Sequence, residues 1–248
     1  MKFINKYKSN NFNKRRKINN IKYIILHYTA MQSYKEAIKH LCDKKNKVSS
    51  HFLINKGGEI FNIVNIKDRA WHAGQSFWQN ETDINSCSIG IEIDNSGYHL
   101  NFEDYTDKQI NSLIKLIKFL KNIYNIKNSA ILCHSDISPY RKIDPGEKFP
   151  WEKLFKLNIS YLPRKKVTKT LDSIDIILDN NFLSNNKERA IYILSKIGFD
   201  INPAIKNKKN FNLLIKAYQL HYRSSLVNGK LDTETYGILI NHYKDLLT

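Results

Sequence analysis

The chain is poor in cysteine. Cys42, Cys87 and Cys133 are its only three, an odd number with no CxxC pair. That excludes a disulfide framework and argues against a structural zinc knuckle. Cys133, directly before a histidine at the end of an apolar run, reads as a small buried apolar residue. No apolar run approaches the about 20 residues that a membrane-spanning helix needs. The amino terminus, Met1-Lys-Phe-Ile-Asn-Lys-Tyr-Lys-Ser-Asn10, is positively charged but has no apolar core, so it is not a recognisable secretory signal. Acidic residues are scarce as well: 23 Asp and Glu stand against 40 Lys and Arg, a net charge of +17. Such a balance favours anionic partners, and nucleic acid, anionic membrane and anionic cell-wall polymer all qualify. No known nucleic-acid motif is present, so no nucleic-acid partner is expected.

What is present suffices for a packed core. A chain of 248 residues with 42% apolar content holds one large domain or two unequal ones. It divides into a basic N-terminal tail (1–19) with its densest cluster at Lys14-Arg-Arg-Lys17, a motif-bearing region (20–160), a linker (161–183) and a small helical domain (184–248). The tail reads as solvated. Within 20–160 strands and helices alternate. Ser33-Tyr-Lys-Glu36 and Thr106-Asp-Lys-Gln109 are capping boxes that open helices, the second with Ile110, Leu113, Ile114, Ile117 and Leu120 on one face. Phe52–Ile54 and Glu59–Val64 flank a Gly-containing turn and read as a hairpin. The expected class is α/β: a mixed central β-sheet flanked by helices, with a three-helix unit after it.

Three separated residues carry the chemistry. His27 closes the apolar run Ile21–Leu26, His134 closes Ser129–Cys133, and Asp144 follows ten residues later. Two histidines and one carboxylate at strand ends supply the three protein ligands of a catalytic zinc site, with a fourth position left for water. Glu92, in Ser88-Ile-Gly-Ile-Glu-Ile93, ends another apolar run and is placed to act as general base beside such a metal. Lys142, two residues before Asp144, is placed to set its ammonium against a developing oxyanion.

The surroundings of these residues resemble the AmpD/AmiD-type N-acetylmuramoyl-L-alanine amidases, which are related to the peptidoglycan recognition proteins. The matching pieces are Ile24-Ile-Leu-His-Tyr-Thr29, Val48-Ser-Ser-His-Phe-Leu-Ile54, Asp68-Arg-Ala-Trp-His-Ala-Gly74, Ser88-Ile-Gly-Ile-Glu-Ile93 and His134-Ser-Asp-Ile-Ser-Pro-Tyr-Arg-Lys-Ile-Asp-Pro-Gly146, followed by Phe149-Pro-Trp151. They come in the family's order. The resemblance implies Zn²⁺ held by His27, His134 and Asp144, with Glu92 and Lys142 catalytic. It implies that Trp71 and His72 line the substrate groove, with His72 a donor near the metal, and that Lys47 and Ser50 meet the carboxylate end of a stem peptide. It further implies hydrolysis of the amide between N-acetylmuramic acid, or its 1,6-anhydro form, and L-alanine of peptidoglycan or muropeptides. The alternative is a recognition module that binds the same ligand without turnover. Asp144 in place of the cysteine common in recognition proteins, and Glu92 in place of the tyrosine of phage-type relatives, set the chain nearer the AmpD/AmiD branch.

His51 reads as an inner histidine rather than a ligand. His40, His99, His221 and His242 lack motif context and read as bystanders. In the C-terminal part, helices are expected over 186–198 and 211–222, with a third capped by Asp232. The stretch Ala217-Tyr-Gln-Leu-His-Tyr222 with Asn228-Gly-Lys-Leu-Asp-Thr-Glu-Thr235 resembles the three-helix peptidoglycan-binding domain. Family and domain together favour the bacterial envelope (periplasm), while the missing signal leaves the cytoplasm open. Neither oligomeric state nor the choice between anhydro-muropeptide and intact wall is written in the sequence.

Overall fold

The computed structural model describes residues 1–15, 21–165 and 185–248. Its strands are β1 (Phe3–Ile4), β2 (Phe12–Lys14), β3 (Tyr23–Tyr28), β4 (Phe52–Ile54), β5 (Ile60–Asn62), β6 (Asp68–Ala70), β7 (Ser88–Ile93) and β8 (Ile131–Cys133). Six of them form one mixed sheet in the order β1-β5-β4-β7-β3-β8, and β2 pairs with β6 in a separate ribbon. The centre of the sheet is parallel: β4 with β7, β7 with β3, and β3 with β8. β4 and β5 form the expected antiparallel hairpin, turning at Gly58 with φ 82°. β3 is a continuous apolar run, Tyr23–Leu26, rather than an alternating pattern because the sheet is covered on both faces. Ile24, Ile25, Leu26, Ile89, Ile91 and Ile93 are all fully buried.

Each face has its own cover. On one side α1 (Tyr34–Cys42) buries Ala37, Ile38 and Leu41 against Leu53, Phe61 and Ile63. Its N-cap Ser33 accepts from the backbone N–H of Glu36. On the other side lies α3 (Asp107–Tyr124), opened by the full Thr106–Gln109 capping box and closed by Asn125 in the left-handed region. Its apolar face, Ile110 through Leu120, joins the main core as the 3.6-residue period requires. Two short helices, α2 (Ile84–Cys87) and α4 (His134–Ile137), precede β7 and follow β8, and α5 (Trp151–Lys156) closes the first region.

The first fifteen residues are not a solvated tail. β1 adds to the sheet edge beside β5, and β2 holds β6. Arg15 is buried, and its guanidinium donates to the carbonyl oxygens of Ile66, Asn85, Ser86 and Ser88 at 2.8–3.2 Å. Five N–H donors in one rigid fork suit Arg15 to satisfying carbonyls that the loop before β7 would otherwise leave stranded. The rest of the basic cluster, Arg16 and Lys17, lies outside the described residues, as does most of the expected linker.

The C-terminal helices are α6 (Asn186–Ile197), α7 (Asn202–Lys206), α8 (Lys208–Tyr222) and α9 (Thr233–Leu247). Asn185 and Asp232 cap α6 and α9 by accepting from Glu188 N and Thr235 N. α7 is an extra turn that the apolar period does not reveal, and α8 starts earlier than expected because Asn207 caps it. These helices do not pack among themselves alone. Ile193, Leu194, Leu214 and Tyr218 share one core with the sheet, and Trp78 meets Phe199 edge-on at 4.9 Å. Among the described residues no helix is long and apolar enough to cross a membrane.

Candidate metal centre and active site

Three parallel strands deliver the site to one edge of the sheet, outside their carboxyl ends, where open α/β sheets place ligands. His27 is the penultimate residue of β3, and Glu92 in β7 is its register neighbour. Leu26 pairs with Cys133, so His134, the next residue, stands at the end of β8. Asp144 enters from the loop after α4. That loop is pinned twice: Asp144 O accepts from Ser135 N at 3.2 Å, and Pro145 O accepts from the buried Tyr105 hydroxyl at 2.7 Å.

His27 Nδ1, His134 Nδ1 and Asp144 Oδ2 lie 2.9–3.1 Å from one another. The far sides of the rings decide where the protons are. His134 Nε2 faces the carbonyl of Ala73 at 3.1 Å, which can only accept, so its proton sits there. Ser88 Oγ donates to Ile84 O at 2.6 Å and therefore accepts from His72 Nε2 at 3.2 Å. His72 Nδ1 is then an acceptor, and takes the Nε2 proton of His27 at 3.1 Å. Burial, and then the His134 ring, depress the pKa of His27 to about 4, although Asp144 pulls the other way. His72 is pushed well below its ordinary value by burial and by the rings of His27 and His51. Burial raises the Asp144 carboxyl, but His134 and His27 outweigh it and hold the group ionised far below the usual carboxylate range. The His27 ring is thus neutral, and its Nδ1, His134 Nδ1 and an ionised carboxylate oxygen converge on one point. Three acceptors so arranged fit a metal ion, and the N–H bonds behind them fix the rings for it.

Glu92 stands beside this group. Its Oε2 is buried with no hydrogen-bond partner among the described residues. Burial, and the neighbouring Asp144, raise its pKa well above the ordinary value, with Lys142 opposing. Glu92, Lys142 and the three acceptors line one open cavity of about 210 Å³, walled by Tyr28–Met31, Trp71 and α1.

The other expected site residues divide. Trp71 lines the cavity, with its indole N–H on Asn13 Oδ1 at 2.6 Å and its backbone N–H on Ser49 Oγ. His72 is not a free donor for a substrate: Ser88 takes its one N–H, and it serves instead as the acceptor that orients His27. The ring lies on β7 so closely that a Cβ at Gly90 would come within 2.4 Å of it, which explains a glycine inside an apolar strand. Ser50 is completely buried and Lys47 is exposed, and neither lines the cavity. Ser49 does. His51 is buried, accepts from Gly90 N at 3.0 Å and has its pKa lowered to about 3 by burial and Arg15. Of the supposed bystanders, His40 lines the cavity and His221 is buried against Asp136. No motif marks the N-terminal strand β2, whose Asn13 holds the Trp71 indole.

The model of the N-acetylmuramoyl-L-alanine amidase family matches residues 17–147. The amidase AmiD of Escherichia coli (strain K12) is 33% identical over 232 residues, which are 88% of this chain and 80% of that protein. The solved complex of E. coli AmiD with anhydro-N-acetylmuramic acid-L-Ala-D-γ-Glu-L-Lys matches with a TM-score of 0.78 at 30% identity, covering 91% of this chain and 90% of the other. The 1,6-anhydro-N-acetylmuramyl-L-alanine amidase AmpD of Haemophilus influenzae is 44% identical over 108 residues, 43% of this chain and 56% of its own length. With its strand-end acceptors, its partnerless glutamate and these relatives, the chain belongs to the N-acetylmuramoyl-L-alanine amidase family.

Proposed function

We propose that this chain is a zinc-dependent N-acetylmuramoyl-L-alanine amidase. Its substrate is the amide between the lactyl group of N-acetylmuramic acid, or of the 1,6-anhydro sugar, and L-alanine of the stem peptide. The observation that carries the reading is the convergence of two ring nitrogens and a carboxylate oxygen beside a buried Glu92 oxygen that has no partner among the described residues, all in one cavity. Relatives named for this bond, one of them solved with an anhydro-muropeptide, support the substrate class.

His27, His134 and Asp144 would hold the zinc. The ion supplies Lewis acidity, lowering the pKa of a water to about 7 and polarising the scissile carbonyl. Glu92 takes the proton of the attacking water and passes it to the departing alanine amine. Lys142 offers a fixed positive charge where the tetrahedral oxyanion develops. His72 keeps the proton of His27 on Nε2 and so keeps Nδ1 free. Trp71 gives a flat apolar wall for sugar or stem peptide. The C-terminal helices are read as a wall-binding unit, supported by the extension of the AmiD similarity beyond the family match, and with them the envelope as the place of action.

Hydrolysis in H₂¹⁸O tests the bond assignment. The label should enter the carboxylate of the muramyl lactyl group and leave the free L-alanine amine on an unlabelled peptide; label in any other product contradicts it. Lys142→Met should lower kcat by roughly 10²–10³-fold. KM and zinc content should hardly change, which steady-state kinetics and metal analysis check together.

A further inference from the structure

The C-terminal helices reach the turn that carries His134. His221, on α8, and Asp136, on α4, are 2% and 0% exposed. His221 Nδ1 donates to Asp136 Oδ2 at 2.7 Å. The same oxygen accepts the backbone N–H of Cys133 at 2.9 Å. One carboxylate oxygen therefore ties the last residue of β8 to α8, and His134 sits inside that knot. The His221 ring is stacked on Trp151, with centroids 3.6 Å apart, and on Tyr222 at 4.0 Å, so its plane is set and Nδ1 is aimed.

A four-residue helix such as α4 has almost no stability of its own, because nucleating a single turn is unfavourable. Its geometry comes from what holds its ends. Here those are the Asp136 bonds at its start, and Ser135 N on Asp144 O at 3.2 Å. The pair also has a cost: Asp136 Oδ1 and His221 Nε2 are buried without partners among the described residues. A buried hydrogen-bonded pair that leaves such atoms adds little net stability, and what it supplies is a fixed arrangement.

We propose that His221 is a positioning residue for the metal centre, fixing through Asp136 the one-turn helix that carries His134. The C-terminal helices are then part of the support of the active site as well as an appended unit. This rests on the zinc reading given above. Cys133, Asp136 and His221 also bring three donor atoms within 4.8 Å of one another. They do not make a second metal site, because Asp136 Oδ2 already accepts two N–H groups and Cys133 Sγ faces Ser135 Oγ at 3.0 Å.

The test compares amide variants in the full chain. His221→Asn places an N–H donor where Nδ1 stands. His221→Gln places it where Nε2 stands, and both lose the ring. His221→Phe keeps the ring stack and loses the donor. Zinc retention against a competing chelator is read with kcat and KM. The Gln and Phe variants should release zinc 10–100-fold more readily, with kcat lowered and KM little changed, while Asn stays near wild type. Equal retention in Asn and Gln, or wild-type retention in Phe, overturns the proposal, and Phe decides alone if the amide variants do not fold. A second equivalent of zinc on the wild type, lost in His221→Phe, also overturns it. Wild-type protein that takes up no zinc at all overturns the metal reading itself, which the first equivalent distinguishes.

Discussion

Glu92→Gln should cut kcat by roughly 10²–10⁴-fold, the usual worth of a positioned general acid–base group. It should leave the zinc content unchanged, because Glu92 is not among the three converging acceptors. The same substitution should stabilise the metal-free protein. Glu92 Oε2 is buried with no partner, and burial and Asp144 raise the carboxyl pKa well above its ordinary value. A raised carboxyl pKa means that the folded state keeps a proton the unfolded chain has already lost. Stability from this group is therefore full below about 4.5 and is lost as pH rises toward the folded pKa. Glutamine has nothing to ionise, so the gap in melting temperature between variant and wild type should widen from pH 5 to pH 8. The unpartnered oxygen is worth on the order of 1–3 kcal/mol, or a few degrees in a chain of this size. Positive charge at the neighbouring ligands draws Glu92 back toward ionisation, so loading with zinc should narrow the gap. Near wild-type turnover in Glu92→Gln would remove it from the chemistry.

Asp144→Ala should lose zinc and turnover together. Asp144 contributes the one formal negative charge among the three acceptors, and its removal leaves only the two imidazoles. A fall in zinc affinity on the order of 10³-fold or more is expected, since the site then lacks one of three ligands and all of its compensating charge. Activity should fall to the background of metal-stripped wild type. The pH dependence of zinc release in the wild type should be shifted toward acid. His27 competes for protons only near pH 4, against 6.5 for an ordinary histidine, and Asp144 stays ionised through that range. Zinc should therefore stay bound at pH 5.5, by equilibrium dialysis. Titration of the His27 ring above pH 6, read by NMR in the metal-free protein, would contradict its buried, neutral state.

The group of three converging side chains was legible because apolar runs that stop at a polar residue mark the edge of a sheet. His27 and His134 end β3 and β8, and the Asp144 loop follows directly. The register that sets Glu92 beside His27 was not legible, since β3 and β7 pair across sixty residues. Nor was the duty of His72. Its motif suggests a groove residue, but ring protons are assigned by Ser88 and Ala73, which no local pattern links to it. Gly90 was the available sign, a glycine where a β-branched residue would suit the strand better. Arg15 looked like part of a solvated tail because charge patterning cannot show the four carbonyls waiting for it. His221 was passed over for a similar reason: its partner is 85 residues away, on another element. Lys47 and Ser50 matched a motif position yet fall outside the cavity, where Ser49 forms the wall instead.

The most direct measurement is mass spectrometry of the products from a purified 1,6-anhydro-muropeptide, incubated with the protein in the presence and absence of a zinc chelator. Free stem peptide and free anhydro-sugar, lost with chelator and restored by added Zn²⁺, are the predicted result. No cleavage by fully zinc-loaded protein would contradict the catalytic reading and leave a module that binds the same ligand without turning it over.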